Sequence, residues 1–134
     1  MKKLNLKAKC LCGSIAFRTN GNHRDVINCH CIQCLKTHGN YAAATKVLDT
    51  DIKFSKKMTL RWYRSSKRAK RGFCNKCGAS IFFKVLNTDS TSIFVGIFDK
   101  PTKLKTTMDI FVEGKSDYYK LNNNLPKFSK YPKI

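Results

Sequence analysis

Seven cysteines in three tight clusters are the residues of this sequence most able to do chemistry. They are arranged as Cys10-Leu11-Cys12-Gly13, Cys29-His30-Cys31-Ile32-Gln33-Cys34 and Cys74-Asn75-Lys76-Cys77-Gly78. The two outer clusters together supply four thiolates, and the middle cluster supplies three. Four thiolates close a tetrahedral zinc site, whereas three leave one coordination position open. The sequence therefore predicts two zinc ions per chain, one structural and one catalytic.

The predicted structural site combines the first and last clusters. A Cys-x-x-Cys-Gly turn is typical of a zinc knuckle, in which glycine takes a backbone conformation that other residues avoid. In an extended chain, residues two apart face the same way, so Cys10 and Cys12 can reach one ion together with Cys74 and Cys77. A redox Cys-x-x-Cys motif at 74–77 is the alternative. It leaves Cys10 and Cys12 unexplained, and structural zinc is the preferred interpretation.

The predicted catalytic site is the middle cluster, where a turn beginning at Ile32 brings Cys34 round to Cys29 and Cys31. A buried cysteine cluster is one alternative. Another is a closed site with His38, four residues beyond Cys34, as the fourth ligand. His30 is expected to point away from the metal, and His23 is expected to be a solvated surface residue.

An open zinc site with three thiolates favours sulfur chemistry. Its net charge of about −1 makes it a poor Lewis acid for ionising water, but a coordinating thiol is still deprotonated there. The cluster of Cys29, Cys31 and Cys34 therefore suits a substrate whose reactive atom is sulfur.

Composition limits where the protein works. No stretch approaches the ~20 apolar residues of a membrane span, and the first residues do not form a signal peptide. The thiols are then expected to stay reduced in the cytoplasm, which favours zinc over disulfides. The formal charge of +19 comes mostly from lysines spread along all 134 residues. Such a charge predicts non-specific binding of polyanions at low salt.

The densest basic run is Arg64, Lys67, Arg68, Lys70 and Arg71, just before the last cysteine cluster. It is either a solvated loop or a clamp for substrate carboxylates, to which arginine is suited by its planar fork. A non-catalytic zinc module that binds an anionic partner such as nucleic acid is the alternative to an enzyme.

Strands must position these clusters, because the dominant hydrophobic period is two. We expect a small all-β domain with one short helix at 31–37 ended by Gly39, and a hairpin turn at 87–90. The predicted strands cover 4–8, 15–17, 60–64, 80–86, 92–98 and 108–112.

The order of the motifs resembles that of a known family. Cys-x-Cys-Gly is followed by Cys-His-Cys-x-x-Cys-x-Lys-x-x-Gly and then by Arg-Gly-Phe-Cys-x-x-Cys-Gly-x-x-Ile-Phe. This order is similar to that of the glutathione-dependent formaldehyde-activating enzymes, also called the centromere protein V domain family. The likeness continues through 96–101 and 115–119.

The resemblance implies a single zinc-stabilised domain of stacked short β-hairpins at 4–128. From their composition, the remaining residues, 129–134, are expected to form an irregular basic tail. The resemblance also implies structural zinc on Cys10, Cys12, Cys74 and Cys77, and catalytic zinc on Cys29, Cys31 and Cys34. The implied activity is that of a carbon–sulfur lyase, which joins glutathione or a similar thiol to an aldehyde, as in S-hydroxymethylglutathione formation.

Overall fold

The computed structural model describes residues 1–122 and 124–132, in which strands dominate. One α-helix, α1 (Ile32–His38), and three 3₁₀ turns, Asp49–Asp51, Val95–Ile97 and Val112–Gly114, interrupt the strands of this described part. None of its helices is long and apolar enough to cross a membrane. The strands are β1 (Lys2–Lys9), β2 (Ala16–His23), β3 (Val26–Cys29), β4 (Ala42–Leu48), β5 (Ile52–Lys56), β6 (Leu60–Arg64), β7 (Ala69–Cys74), β8 (Ser80–Val85), β9 (Ser90–Phe94) and β10 (Thr106–Ile110).

The strands form two sheets, which confirms the predicted all-β class. A three-stranded antiparallel sheet has the order β1-β2-β5, and a seven-stranded sheet has the order β10-β3-β4-β9-β8-β7-β6. Five of the six neighbouring pairs in the larger sheet are antiparallel, but β10 pairs with β3 in parallel. This parallel pairing brings a late strand beside the middle cysteine cluster.

The hydrophobic core lies between the two sheets. Leu6, Ala8 and Phe17 enter it from the smaller sheet, and Val47 and Ile93 enter it from the larger one. Because side chains alternate along a strand, the intervening residues of β4 and β9 face the other side of the larger sheet. One face of that sheet therefore builds the core, and the opposite face is left for a site.

The structure extends the sequence-based strand assignment and corrects several boundaries. Strands β3, β4, β5 and β7 were not predicted. The predicted strand at 92–98 is strand only to Phe94 and continues as a 3₁₀ turn. The predicted strand at 108–112 ends at Ile110 and is followed by a 3₁₀ turn. The helix lies within one residue of the predicted 31–37 and ends at Gly39 with a φ of 79°.

The prediction of a solvated His23 is wrong. Its side chain is fully buried, with 0% of its surface exposed. Nδ1 lies 2.8 Å from the Gly21 carbonyl oxygen and Nε2 lies 2.7 Å from the Thr19 hydroxyl. Since a carbonyl only accepts, Nδ1 donates to Gly21 and Nε2 accepts from Thr19. With both ring nitrogens satisfied, the imidazole is stable inside the core.

Gly72 on β7 is expected to be intolerant of any side chain. A Cβ there would lie 2.9 Å from Phe82 Cδ2 and 3.1 Å from Trp62 Cζ3, whose rings stack across the glycine. We expect Gly72→Ala to lower the free energy of unfolding by about 1–3 kcal/mol through overpacking, measured by urea denaturation. Gly96→Ala is the control, because a Cβ at Gly96 meets nothing within 4 Å. Equal effects of the two substitutions would contradict this account of Gly72.

Candidate metal centres and the adjoining cavity

The four-thiol cluster is built by two tight turns, one between β1 and β2 and one between β7 and β8. In each turn a glycine N–H donates to the carbonyl of the first cysteine, at 3.0 Å from Gly13 to Cys10 and at 2.8 Å from Gly78 to Cys74. Both glycines have positive φ, 78° and 76°, which a residue with a Cβ adopts only at a cost. The same turns point backbone N–H groups at the sulfurs: one donates to Cys10 Sγ at 3.3 Å and two donate to Cys74 Sγ at 3.4 Å.

The sulfur positions of this cluster fit a tetrahedral metal. The Sγ atoms of Cys10, Cys12, Cys74 and Cys77 all lie within 4.8 Å of one another. Cys10 and Cys12 are 3.6 Å apart and Cys12 and Cys74 are 3.7 Å apart, measured between sulfurs. A tetrahedral zinc with Zn–S bonds of about 2.3 Å requires sulfurs about 3.8 Å apart. The four thiols could bind a metal ion with little movement.

The three-thiol cluster lies where β3 ends and α1 begins. Cys29 is the last residue of β3, Cys31 caps the helix, and Cys34 lies in its first turn. The backbone N–H of Cys34 donates to Cys31 Sγ at 3.4 Å, and the three sulfurs lie within 4.8 Å of one another. Hydrogen bonds from the thiols of Cys29 and Cys34 lower the pKa of the Cys31 thiol. These three thiols could bind a second metal ion.

Arg71 contacts the three-thiol cluster directly. Its Nη2 lies 3.8 Å from Cys34 Sγ, and its guanidinium lies 5.1 Å from the centroid of Phe83. The residue is buried, and Nε and Nη1 have no hydrogen-bond partner among the described residues. Burial alone would disfavour the charged, thiolate form of these cysteines. A buried cation at this position offsets the negative charge of several thiolates.

The predicted basic run therefore does not act as one unit. Arg64 donates to the carbonyls of Ser66 and Lys67 within its own loop, and Lys70 lies over the ring of Trp62 at 4.3 Å. The solvated-loop interpretation fails for Arg71, the one member of the run that lines a cavity beside the three-thiol cluster.

His38 is not part of the three-sulfur group. It ends α1 with its ring packed edge-on against Phe94, at 4.2 Å between centroids. Burial, followed by the charge of Arg71, lowers the pKa of His38 to about 4, so the ring is neutral at pH 7. A neutral imidazole can bind zinc, but no ring nitrogen of His38 joins the group of sulfurs that lie within 4.8 Å of one another, so the structure does not place His38 as the fourth ligand.

His30 forms hydrogen bonds with two side chains from the last quarter of the chain. Nε2 lies 2.8 Å from Asp109 Oδ1, and Nδ1 lies 2.7 Å from the Tyr119 hydroxyl. Because a carboxylate accepts, Nε2 donates to Asp109, and in the neutral ring Nδ1 accepts from Tyr119. His30 and Asp109 are both buried. Since both nitrogens are occupied, His30 points away from the sulfurs, as expected, and ties the cysteine loop to β10.

A cavity of about 470 Å³ adjoins the three-thiol cluster. All three cysteines of that cluster line it, whereas no cysteine of the four-thiol cluster does. Its floor is the outer face of the seven-stranded sheet, including Ala44, Ser92 and Phe83. Tyr131, from the end of the described chain, packs on Phe111 at 4.8 Å and closes one side. The three thiols are therefore the thiols that a small molecule in this cavity would meet.

Two further cations of the cavity were not predicted from the sequence. Arg24, in the loop before β3, and Lys46, on β4, line the cavity together with Arg71. Neither belongs to a motif, and each is one basic residue among the 27 of the chain. Asp109 was missed too, although an acidic residue inside the apolar run 108–112 was a usable signal.

Comparison with known proteins agrees with this arrangement of thiols. The family model described as "Glutathione-dependent formaldehyde-activating enzyme" matches residues 5–114. The chain belongs to this family. The match spans all three cysteine clusters of this chain. It confirms the resemblance to the glutathione-dependent formaldehyde-activating enzymes that the sequence shows.

Among solved structures, the chain is similar in fold to the crystal structure of a Rhodobacter sphaeroides protein from structural genomics, with 21% sequence identity and a TM-score of 0.60. The alignment covers 75% of this chain and 99% of that one. No curated protein matches the chain.

The buried contact between His30 and Asp109 should be necessary for stability. His30→Ala leaves a buried carboxyl group without its partner and is expected to cost about 3–5 kcal/mol in the free energy of unfolding. Tyr119→Phe removes one hydrogen bond of a half-buried hydroxyl and should cost about 1 kcal/mol. Urea denaturation of the metal-loaded protein measures both.

A double variant tests whether the buried carboxyl group causes the loss. His30→Ala combined with Asp109→Asn removes the ionisable group and should recover part of the stability. Two outcomes would show that this pair does not anchor the loop. One is a double variant that is no more stable than His30→Ala, and the other is a His30→Ala variant that unfolds like the wild type.

Proposed function

We propose that the protein is a zinc-dependent enzyme that joins a small thiol such as glutathione to an aldehyde, in the manner of S-hydroxymethylglutathione synthesis. The reaction belongs to the carbon–sulfur lyase class when it is written in reverse. The single observation that supports this proposal most is that the three-thiol cluster opens on the cavity and the four-thiol cluster does not. Family membership supports the same chemistry, since the family is described by formaldehyde activation with glutathione.

The donor sets fit two zinc ions with different roles. We assign Cys10, Cys12, Cys74 and Cys77 to a structural ion, and Cys29, Cys31 and Cys34 to a catalytic ion. Zinc bound by three thiolates would supply one open position, at which a substrate thiol is held as thiolate. A reducing compartment keeps all seven protein thiols available, and we propose that the protein works in the cytoplasm.

The overall chemistry balances without an oxidant or a reductant. The substrate sulfur forms a bond to the aldehyde carbon, the carbon–oxygen double bond becomes a single bond, and the thiol proton ends on the new hydroxyl group. Arg71, 3.8 Å from Cys34, supplies a positive charge beside the cysteine cluster at which the substrate sulfur would bind. The apolar walls formed by Phe83, Phe94 and Ile110 limit water around it.

A non-catalytic module that binds nucleic acid is the second candidate function. It is favoured by the edge strand β6, where Trp62 and Tyr63 are exposed and Lys70 lies over the indole ring. Exposed aromatic and basic side chains can stack on single-stranded bases. However, Trp62 also stacks on the buried Phe82, at 5.8 Å between ring centroids, so packing already explains its position. We regard binding to nucleic acid as non-specific and driven by charge.

Metal content should separate the two clusters. The wild-type protein, purified without oxygen, is expected to contain two zinc ions per chain. Cys31→Ser should contain one and keep its fold, because that cluster is local. Cys74→Ser should lose thermal stability, because zinc binding contributes ~10–16 kcal/mol to folding in small structural sites. Elemental analysis and thermal melts measure both. If Cys31→Ser unfolds as readily as Cys74→Ser, our division of roles is wrong.

Thiol binding should depend on a free sulfur. Glutathione is expected to bind in the micromolar-to-millimolar range of ordinary substrates, and S-methylglutathione should bind much more weakly because it cannot become a thiolate. Isothermal titration of the zinc-loaded protein measures both affinities. Cys31→Ser is the matched variant and should bind both compounds equally weakly. Equal affinities in the wild-type protein would show that sulfur is not what the site recognises.

A further inference from the structure

Apart from the three cysteines, the charged side chains that line the cavity are all cations. Arg24, Lys46 and Arg71 line it, and its described lining contains no Asp or Glu. The ion pairs of the described residues lie elsewhere and involve His30, Lys84 and Lys130. Like charges near one another repel, and an anion between them would relieve that repulsion. The cavity therefore has the electrostatic character of an anion-binding site.

The positions of Lys46 and Arg71 follow from the register of the larger sheet. Lys46 lies opposite Ser92, Ser92 opposite Phe83, and Phe83 opposite Arg71, so these residues form one row across four strands. Cys29 lies opposite Ala42, at the other end of β4. Lys46 is four residues after Ala42, roughly 13 Å along the strand. One end of the cavity therefore holds thiols, and the other end holds a cation.

Arg24 is held beside Lys46 by the backbone. Its N–H donates to the Lys46 carbonyl at 3.1 Å, and its Nη2 donates to the Ala44 carbonyl at 2.9 Å. Nε reaches the Asp25 carbonyl at 3.3 Å. These contacts fix the guanidinium while leaving its charge unpaired by any described carboxylate. Burial, and then the charge of Arg24, lowers the pKa of Lys46, as expected for two cations that face each other without an anion.

We propose that Arg24 and Lys46 form an anion subsite that selects thiols with two negative charges and no ammonium group. This inference rests on the proposed function, because it places the substrate sulfur at Cys29, Cys31 and Cys34. Glutathione carries two carboxylates but also one ammonium group. A cavity whose described lining holds three cations and no carboxylate offers that ammonium group no carboxylate partner, and the thiols lie at the end that binds the substrate sulfur. The preferred substrate class is therefore a low-molecular-weight dianionic thiol.

Three probes of nearly equal shape test this selectivity. They are glutathione, glutaryl-cysteinylglycine, which is glutathione with hydrogen in place of the ammonium group, and glutaryl-alanylglycine, which also lacks the sulfur. In isothermal titration with zinc-loaded protein at low salt, glutaryl-cysteinylglycine should bind roughly three- to fivefold more tightly than glutathione, as partly exposed charge contacts allow. Tighter or equal binding of glutathione would overturn the proposal.

Variants assign the preference to its residues. Lys46→Gln and Arg24→Gln should each lower the affinity for glutaryl-cysteinylglycine by roughly threefold or more. Each should also reduce the ratio of that affinity to the affinity for glutathione. Lys53→Gln, on β5 of the other sheet, makes the same charge change outside the cavity and should bind like the wild type. If Lys46→Gln also binds like the wild type, the subsite is wrong. Among the described residues, the Lys46 side chain makes no hydrogen bond and no ion pair, so Lys46→Gln remains informative even if Arg24→Gln unfolds.

The sulfur-free probe separates this inference from the proposed function. Glutaryl-alanylglycine should bind more weakly than glutaryl-cysteinylglycine. Lys46→Gln should lower the affinity for both compounds by the same factor. If the two glutaryl probes bind equally and Lys46→Gln weakens both, the anion subsite stands and the role assigned to sulfur is wrong. If the sulfur matters and Lys46→Gln changes nothing, the proposed function stands and the subsite is wrong.

Discussion

The convergence of four sulfurs from two distant turns is the constraint on which the rest of the structure depends. The turn after β1 belongs to the small sheet and the turn after β7 belongs to the large one, so Cys10 and Cys74 join the two sheets at one point. A loop of more than sixty residues is closed by this contact, which costs entropy that a bound metal ion offsets. Once the two sheets are joined, the inner face of the large sheet is committed to the core. Its outer face is then free to carry polar residues, thiols and a cavity.

The alternation of side chains along β4 and β9 turns this constraint into a site. Thr45, Val47 and Ile93 point into the core, and their neighbours Ala44, Lys46 and Ser92 face the cavity. Small residues on that face leave space above the sheet, and Arg71 from β7 extends into this space to reach Cys34. A buried arginine without a carboxylate partner is costly unless other negative charge neutralises it. Thiolates at Cys29, Cys31 and Cys34 would provide that charge, so the arginine and the cluster stabilise each other.

The sequence was sufficient to predict the cysteine grouping, the all-β class and the helix, because each has a local signal. Spacing alone grouped Cys29, Cys31 and Cys34, and Gly39 marked the end of α1. Strand β4 was missed because its alanines have low β-propensity, and pairing on both sides overrides that preference. His23 was misjudged because its burial depends on Thr19, four residues earlier on the same strand, and on the sheet packing around it. Arg24, Lys46 and the contact of His30 with Asp109 could not be found, since strand order alone brings these residues to the site.

The charge of the protein then has two separate consequences. Most of its 27 basic residues lie on the surface, where solvent and salt screen them, and they attract polyanions without discrimination. Three of them line a partly enclosed cavity, where an opposing charge interacts more strongly because less water lies between. Selectivity for a small anionic thiol can therefore arise from Arg24, Lys46 and Arg71 alone, whatever the total charge of the chain. A change in surface charge far from the cavity would alter polyanion binding but leave that selectivity intact, and for this reason the net charge of +19 does not identify the substrate.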